Sequence, residues 1–337
     1  MLTFPRILGV VTLLLFATIG LAAWLKNSEN SKKYVASRVP IEVPLEHSTV
    51  TIAADVESDV ATIGKDEIEF GYKTPLSADH LPNADRVEEF FNKGIPQFPV
   101  VETITYTSRV DWMSGRPAWL ADYAAHYKTS RHFIARSLNG KLDYLTQNVT
   151  NGDQFNVFCQ DKDFSFHLLV DASRCKMWFY YIDHDTNERV LVKRYNVALG
   201  RPESYKVSGL LTPLGKYSLG DKIATYKPGV MGYYLGNKIE MITVFGTRWI
   251  PFDQAISGCT MPAKGLGIHG APWERTSTGE LVPTDDNTFG YYSDGCIRLA
   301  TPDMEELFAV IVTKPTVIEI VKDFNDARLP GTENPRR

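Results

Sequence analysis

The chain has 337 residues, too long for one small domain and suited to roughly two plus extensions. Its 44% hydrophobic and 23% charged residues are the mix of a globular chain with a buried core, which rules out a collagen-like, disulfide-dense or wholly disordered protein. Thirty-six Lys and Arg stand against 40 Asp and Glu, a net charge of −4. That leaves no basic excess to neutralise phosphates and argues against a nucleic-acid partner.

Ile7–Leu25 is a run of 19 residues without a charge, preceded by Arg6. A spanning helix needs about 20 apolar residues, whereas the core of a cleaved signal needs about 7–15. Gly20-Leu21-Ala22 offers only a weak cleavage point, so residues 1–25 are expected to form an uncleaved membrane anchor. No Cys lies near Ala22, which excludes a lipid-modified start. Lys26, Lys32, Lys33 and Arg38 follow the run, a bias that by itself would hold the bulk of the chain in the cytoplasm. From Lys26 to Pro40 the net charge is +3, and from Ile41 to Phe70 it is −7. Such a switch without periodicity reads as a tether over residues 26–100, extended by Pro75, Pro82, Pro96 and Pro99, with a small strand pair at Ser48–Ala54 left open.

Ile104-Thr105-Tyr106-Thr107 alternates like a strand, and Leu120, Tyr123, Ala124 and Tyr127 recur at i, i+3, i+4 and i+7, an amphipathic helix. Thr129-Ser130 opens a second helix carrying Phe133, Ile134 and Leu138, which Asn139-Gly140 ends. After Gly152-Asp153, Phe155–Phe158 is again a strand. This β-α-α-β order over residues 101–160, with "LADYAAHYKTSRHFIARSLNG" and "NGDQFNVF", resembles a LysM domain. The resemblance implies a small unit that binds N-acetylglucosamine-containing glycan and that can be deleted without touching chemistry elsewhere in the chain. The family's Gly-Asp-Ser/Thr-Leu opening is replaced here by "VDWMSGRPAWL" (Val110–Leu120), and Trp112 and Trp119 read as packing residues. A packing domain without a ligand stays the alternative.

From Phe164 the chain turns β-rich. Phe164, Phe166, Leu168 and Val170 alternate; Met177–Ile182 and Val190–Val197 are apolar strands joined across Asp185–Glu188. "TPLGKYSLG" (Thr212–Gly220) is a turn feeding a strand. Thr301-Pro302 with Asp303, Glu305 and Glu306 starts a helix whose apolar side is Met304, Leu307, Phe308 and Ile311, and Thr316–Val321 is a last strand. Many strands with one late helix predict a mainly β domain, a sandwich or open barrel with a helix packed on it, over residues 163–322, and a tail over 323–337.

Inside this domain lie "GIHGAPW" (Gly267–Trp273) and "YYSDGCIRL" (Tyr291–Leu299). A Cys nucleophile acts as thiolate and needs a nearby base, because the free thiol has a pKa near 8.5. His269 can serve Cys296 in that way. Gly295 would leave room for a substrate beside the thiol, and N–H groups around it could face an oxyanion. Arg298, two residues on, falls on the same side of a strand as Cys296, where it could grip a carboxylate. A metal reading of His269, Cys296 and Cys259 fails for want of a four-ligand set.

His-Gly, then Ser-Asp-Gly-Cys-Ile-Arg-Leu, with an upstream Thr-Pro-Leu-Gly, resembles the YkuD-type L,D-transpeptidase catalytic domain. The resemblance implies Cys296 as nucleophile, His269 as its base, Gly270 orienting the imidazole through its backbone, and Ser293, Gly295 and Arg298 shaping the site and touching the substrate. It implies no metal or organic cofactor. The partners it implies are peptidoglycan stem peptides and glycan, and carbapenems as acylating inhibitors. The reaction would be a 3→3 cross-link through a Cys296 thioester, with hydrolysis or attachment of a protein Lys as alternatives on the same acyl-enzyme, and a non-catalytic glycan-binding scaffold as the rival of another class. Such chemistry takes place outside the cytoplasmic membrane, so the expected location is the cell envelope, anchored in the inner membrane and facing the periplasm, against the charge bias above. Asp294 stands where that family often has His, and the interval of 27 positions from His269 to Cys296 is long, with Glu274–Asp286 reading as an inserted polar loop that forms a lid or a partner contact. Cys159 and Cys175 could pair or stay as free thiols, and Cys259 reads as structural. His47, His80, His126, His132, His167 and His184 read as surface or packing residues.

Overall fold

The computed structural model describes residues 74–94, 98–141, 148–284 and 287–334. The apolar run Ile7–Leu25, the expected strands at Ser48–Ala54 and most of the expected tether lie outside them. Among the described residues, no helix is long and apolar enough to cross a membrane.

Strand β1 (Val101–Thr105) pairs antiparallel with β2 (Gln154–Phe158), Val101 opposite Phe158, and the helices α1 (Leu120–His126) and α2 (Arg131–Asn139) lie between them in sequence. The expected β-α-α-β order is present. Ser130 Oγ accepts the Phe133 N–H at 3.0 Å and caps α2, and Gly140, at φ 74°, closes it in the left-handed conformation that costs glycine least. One side of the module buries Tyr106, Tyr123, Ala124, Ile134, Leu138, Phe155 and Val157 in a small core. Trp112 stacks on His126 within this module, while Trp119 is 63% exposed with the Arg116 guanidinium over its ring.

The other side of the module belongs to the main core. Phe133 and Phe158 are fully buried together with Phe90 and Phe98 against Phe164, Phe166, Phe179 and Tyr181. Ser130 Oγ also donates to the Ala309 carbonyl at 2.8 Å, and His132 meets Phe308 edge-on at 5.1 Å.

The main sheet has twelve strands among the described residues. Antiparallel neighbours β3 (Phe164–Asp171), β4 (Lys176–Asp183) and β5 (Glu188–Asn196) form its regular part. Asp183 Oδ1 accepts the N–H groups of Asp185 and Thr186, which folds the β4–β5 turn, and Asn187 tolerates φ 56° there. On the other side of β3 run β17 (Thr316–Val321, parallel), β7 (Gly215–Leu219) and β11 (Arg248–Ser257). Beyond β11 come β12 (Gly267–Gly270), β16 (Ile297–Leu299), β6 (Ala198–Gly200) and β15 (Gly290–Ser293), with β8 (Ala224–Thr225) attached to β11. Two hairpins stand off the sheet, β9 (Met231–Tyr234) with β10 (Asn237–Glu240), and β13 (Trp273–Arg275) with β14 (Leu281–Pro283). A short helix α3 (Ile242–Phe245) follows the first hairpin, and α4 (Thr301–Ile311) follows β16. The sheet curls, so that Leu168, Phe179 and Ile318 from one half and Ile250, Ile268, Ile297 and Leu299 from the other close on Met304, Leu307 and Phe308 of α4 in a single core. The expected mainly β domain with a packed late helix is therefore one bent, mixed sheet.

Several expected boundaries shift. Residues 74–94 and 98–100 do not behave as a tether. Val87, Phe90, Phe91 and Phe98 are buried in the main core, the Trp178 indole donates to the Pro82 carbonyl at 2.7 Å, and Leu76 N–H donates to Ser173 O. The aromatic cluster decides where the segment goes. The tail likewise rejoins the sheet, with β18 (Thr332–Glu333) parallel to β5 and Phe324 packed on Trp178 at 4.6 Å. All four cysteines are free thiols, so Cys159 and Cys175 do not pair. His167 is buried beside the Glu319 carboxylate at 3.1 Å, and His184 meets the Ser165 hydroxyl.

Candidate active site

Parallel strands β12 and β16 bring the two motifs together. Ile268 pairs with Ile297 and His269 with Arg298. Side chains alternate along a strand and paired residues share a face. Ile268 and Ile297 therefore turn into the core, while His269, Arg298 and, one register step back, Cys296 occupy the opposite face.

His269 is only 3% exposed. Its ring is packed between Phe245, edge-on at 5.5 Å, and Trp249 at 6.0 Å, and those two rings touch each other at 4.9 Å. Nδ1 lies 2.8 Å from the carbonyl oxygen of Gly270. A carbonyl only accepts, so Nδ1 carries the proton and Nε2 of the neutral ring is left as a base. Burial pushes the imidazole pKa down to about 3, helped by the nearby Arg298 charge and opposed by the Gly270 carbonyl. Gly246 ends α3 at φ 61°, and a Cβ there would lie 2.4 Å from the Ala271 oxygen, so only glycine lets α3 sit this close to the His-Gly strand.

Cys296 is half-buried, its Sγ 3.8 Å from the Gly265 carbonyl oxygen. Burial pushes its thiol up to about 11; the Gly267 N–H and Arg298 pull the other way, and Asp294 adds to the rise. At rest the thiol and the imidazole are thus both neutral, on the same face of the β12–β16 pair. Arg298 is itself largely buried, with Nε lacking a hydrogen-bond partner, and desolvation lowers its pKa against the stabilising charges of Cys296 and Asp294.

The turn before Cys296 is held from both sides. Ser293 Oγ accepts the Gly295 N–H at 3.1 Å and donates to the Cys296 carbonyl at 2.6 Å. Ser293 is 2% exposed, which leaves its hydroxyl folding the turn. Gly295 sits at φ 124°, and a Cβ there would meet the Leu211 oxygen at 3.1 Å and Leu266 at 3.2 Å. Backbone conformation and close packing require this glycine, rather than room for a substrate. Asp294 is exposed and paired with the exposed Arg201 at 2.5 Å.

Sequence reasoning took Thr212 only as the start of a Thr-Pro-Leu-Gly turn and gave its side chain no role. Its hydroxyl accepts the Gly200 N–H at 2.7 Å and donates to the Gly295 carbonyl at 2.9 Å, so the Thr-Pro turn clamps the peptide next to Cys296. Thr212→Val keeps the shape but leaves both buried groups unpaired, and should cost about 1–3 kcal/mol. The check is a lowered midpoint of thermal unfolding together with slowed acylation of Cys296; an unchanged midpoint would remove Thr212 from this role. The second omission is Tyr234 on β9, whose ring meets Phe245 edge-on at 5.5 Å, one ring away from His269. Cys259 lies outside the site, its thiol 2.9 Å from the Lys216 carbonyl oxygen. The polar segment after Glu274 forms the β13–β14 hairpin in its described part.

Residues 165–320 match the model of the YkuD family, the L,D-transpeptidase catalytic domain. No curated protein matches the chain. Among solved structures, the chain is similar to Bd1075 of Bdellovibrio bacteriovorus, with 16% identity, a TM-score of 0.31, and coverage of 48% of this chain and 49% of the other. It is also similar to the helical cell shape determining protein Pgp2 from Campylobacter jejuni, with 18% identity, a TM-score of 0.33, and coverage of 50% and 51%. The chain thus spans about half the length of each of these structures.

Proposed function

Starting from an L,D-transpeptidase catalytic domain over residues 165–320, we propose that the protein cross-links peptidoglycan stem peptides through a thioester on Cys296. The observation that carries this reading is the Nδ1–H bond from His269 to the Gly270 carbonyl, which leaves Nε2 free as a base on the face shared by Cys296 and Arg298. As the thiol approaches a peptide carbonyl, its proton passes to Nε2 and the Sγ–C bond forms. The neighbouring Arg298 charge favours the thiolate and disfavours the imidazolium, so the proton is handed on to the departing amine as the C–N bond to the terminal D-Ala breaks. A side-chain amine of a second stem then attacks the thioester, loses its proton to Nε2 and releases Cys296. Arg298 is the group to hold a substrate carboxylate, because it is buried, charged and short of hydrogen-bond partners at Nε.

Full-length protein mixed with disaccharide tetrapeptides and analysed by mass is the test. A product equal to two donors minus one D-Ala supports the transpeptidase. Loss of D-Ala alone makes the protein a carboxypeptidase, and unchanged substrate overturns both. We place the catalytic domain on the periplasmic side of the inner membrane, held by Ile7–Leu25. In that case the full chain pellets with membranes and resists alkaline extraction, and a mature N-terminus near Ala23 would overturn the anchor. The β-α-α-β module is assigned to glycan, and binding to isolated sacculi that survives Trp119→Ala unchanged would count against a role for its exposed Trp119.

A further inference from the structure

A cleft of about 530 Å³ opens along the seam where the β-α-α-β module meets the main sheet. The module contributes Ala124 and Ala125 of α1, short side chains that leave the space open. From the main sheet come Leu219 at the end of β7 and, in the turn between α4 and β17, Val312 and Pro315. Three charged side chains join these walls: Lys128, Lys314 and Asp221.

Lys314 is held in place. Its ammonium lies 5.2 Å from the ring centre of Phe158, the last residue of β2, and 4.5 Å from that of Phe164, the first of β3. Aromatic faces fix an ammonium without neutralising it. Lys128 reaches the same cleft from the turn between α1 and α2, at φ 47°, a left-handed backbone that glycine adopts with less strain. Among the described residues neither ammonium is ion-paired, not even with Asp221 in the same cleft. Burial lowers the Lys314 pKa and the Lys128 charge lowers it further, against Cys159 and Asp163, so the two lysines repel one another across a short gap.

We propose that the seam cleft is a second binding site, for a carboxylate carried on a sugar, with the Lys128 and Lys314 ammoniums holding the acid. The charge balance selects this class. Two ammoniums against the Asp221 carboxylate leave a single positive charge, and the C-terminal ends of α1 and α4, the negative ends of their dipoles, border the same cleft. A monoanion matches that field, whereas a phosphate dianion meets Asp221 without enough positive charge to offset it. Leu219, Val312 and Pro315 supply apolar surface for the carbon face of a sugar ring. Module and sheet each provide one lysine, so the core they share also fixes the spacing of the two ammoniums. The site does not depend on acyl transfer at Cys296.

The experiment titrates the full-length protein, observed through the NMR signals of the added compound, with N-acetylmuramic acid and with N-acetylglucosamine, which lacks only the lactyl ether that carries the carboxylate. The acid should bind about tenfold more tightly than the neutral sugar, as expected for hydrogen bonds to a charged group. Lys314→Gln should remove most of that difference. Lys128→Gly should do the same while keeping the unfolding midpoint at or above that of the unaltered protein, because glycine relieves the left-handed backbone; weaker binding then has no origin in a failed fold. Asp221→Asn should strengthen the binding of inorganic phosphate severalfold. Acid bound no more tightly than the neutral sugar, acid binding that survives both lysine substitutions, or phosphate preferred over the acid by the unaltered protein would each overturn the site. Carbapenem acylation of Cys296 in Lys128→Gly should proceed at the unaltered rate. Failure of acylation in the unaltered protein with acid binding intact would count against the Cys296 reading alone.

Discussion

Cys296→Ala is expected to carry no covalent adduct after exposure to a carbapenem, and His269→Ala to form one more slowly by orders of magnitude, when the full-length protein is weighed intact. The size of both effects follows from the resting state. The thiol is pushed up to about 11 and the imidazole down to about 3, so at neutral pH neither is charged and almost no thiolate exists before a substrate arrives. Without Nε2 as acceptor, attack depends on that minute thiolate fraction. The same state gives a pH signature. Alkylation of the unliganded protein by iodoacetamide at Cys296 should rise about tenfold per pH unit through pH 7–10, since each unit below the thiol pKa removes nine-tenths of the thiolate. A rate already flat at pH 6–8 would mean a preformed thiolate–imidazolium pair and would overturn the neutral resting state. An adduct that survives Cys296→Ala and is lost in Cys259→Ala would move the nucleophile.

The stability linkage has a definite sign. The folded pKa of His269 lies below that of a free imidazole, so the unfolded chain takes up a proton from about pH 6.5 downward while the folded chain does not. The contribution of His269 to stability is therefore lost progressively as pH falls from about 6.5 toward 3, and His269→Gln should flatten the fall in the unfolding midpoint over that window.

What the sequence disclosed and what it hid divide along a physical line. "IHG" and "SDGCIRL" carry the residues to which the proposed chemistry is assigned, and their local chain geometry follows from short-range rules: alternation puts Cys296 and Arg298 on one face, and a Thr-Pro start makes α4. Parallel pairing of β12 with β16 is not local, so the facing of His269 and Arg298 could be guessed only from the family resemblance. Tyr234 was hidden for a different reason. Its hairpin turns at Leu235 and Gly236, both at positive φ, where Asn-Gly is the usual signal and a leucine gives none. In the segment before β1, prolines at 75, 82, 96 and 99 suggested a tether, although Phe90, Phe91 and Phe98 already formed the apolar cluster that the main core takes in. Periodicity in α2 showed which residues are apolar but not that Phe133 and Ile134 serve two different cores.

The shared core reverses the expectation that the β-α-α-β module can be removed without consequence. A chain beginning at Asp163 should fail to fold and should lose carbapenem acylation altogether. Its first two strands would be stripped of their partners: Phe158 meets Phe164 at 5.3 Å and Phe166 at 6.1 Å, Phe90 meets Phe166 and Phe179 at 6.2 and 6.4 Å, and Phe98 meets Tyr181 at 5.4 Å. Truncating one such ring typically costs about 3–5 kcal/mol, and a domain holds only about 5–15 kcal/mol in reserve, so losing several at once exceeds what the sheet can bear. Other ties would break too: Lys314 rests its ammonium over Phe158, and Ser130 caps α2 while donating to the Ala309 carbonyl of α4. Phe158→Ala in the full chain is the graded version, expected to lower the unfolding midpoint markedly while leaving Cys296 acylated at low temperature where the fold survives. Circular dichroism and intact-mass acylation read both variants. A soluble, cooperatively folded fragment from Asp163 onward that is acylated at the full-length rate would show that the module is only tethered to the catalytic sheet. Failure of the fragment together with retention of activity in Phe158→Ala would place the module's contribution in the scaffold of the site, ahead of any service to glycan.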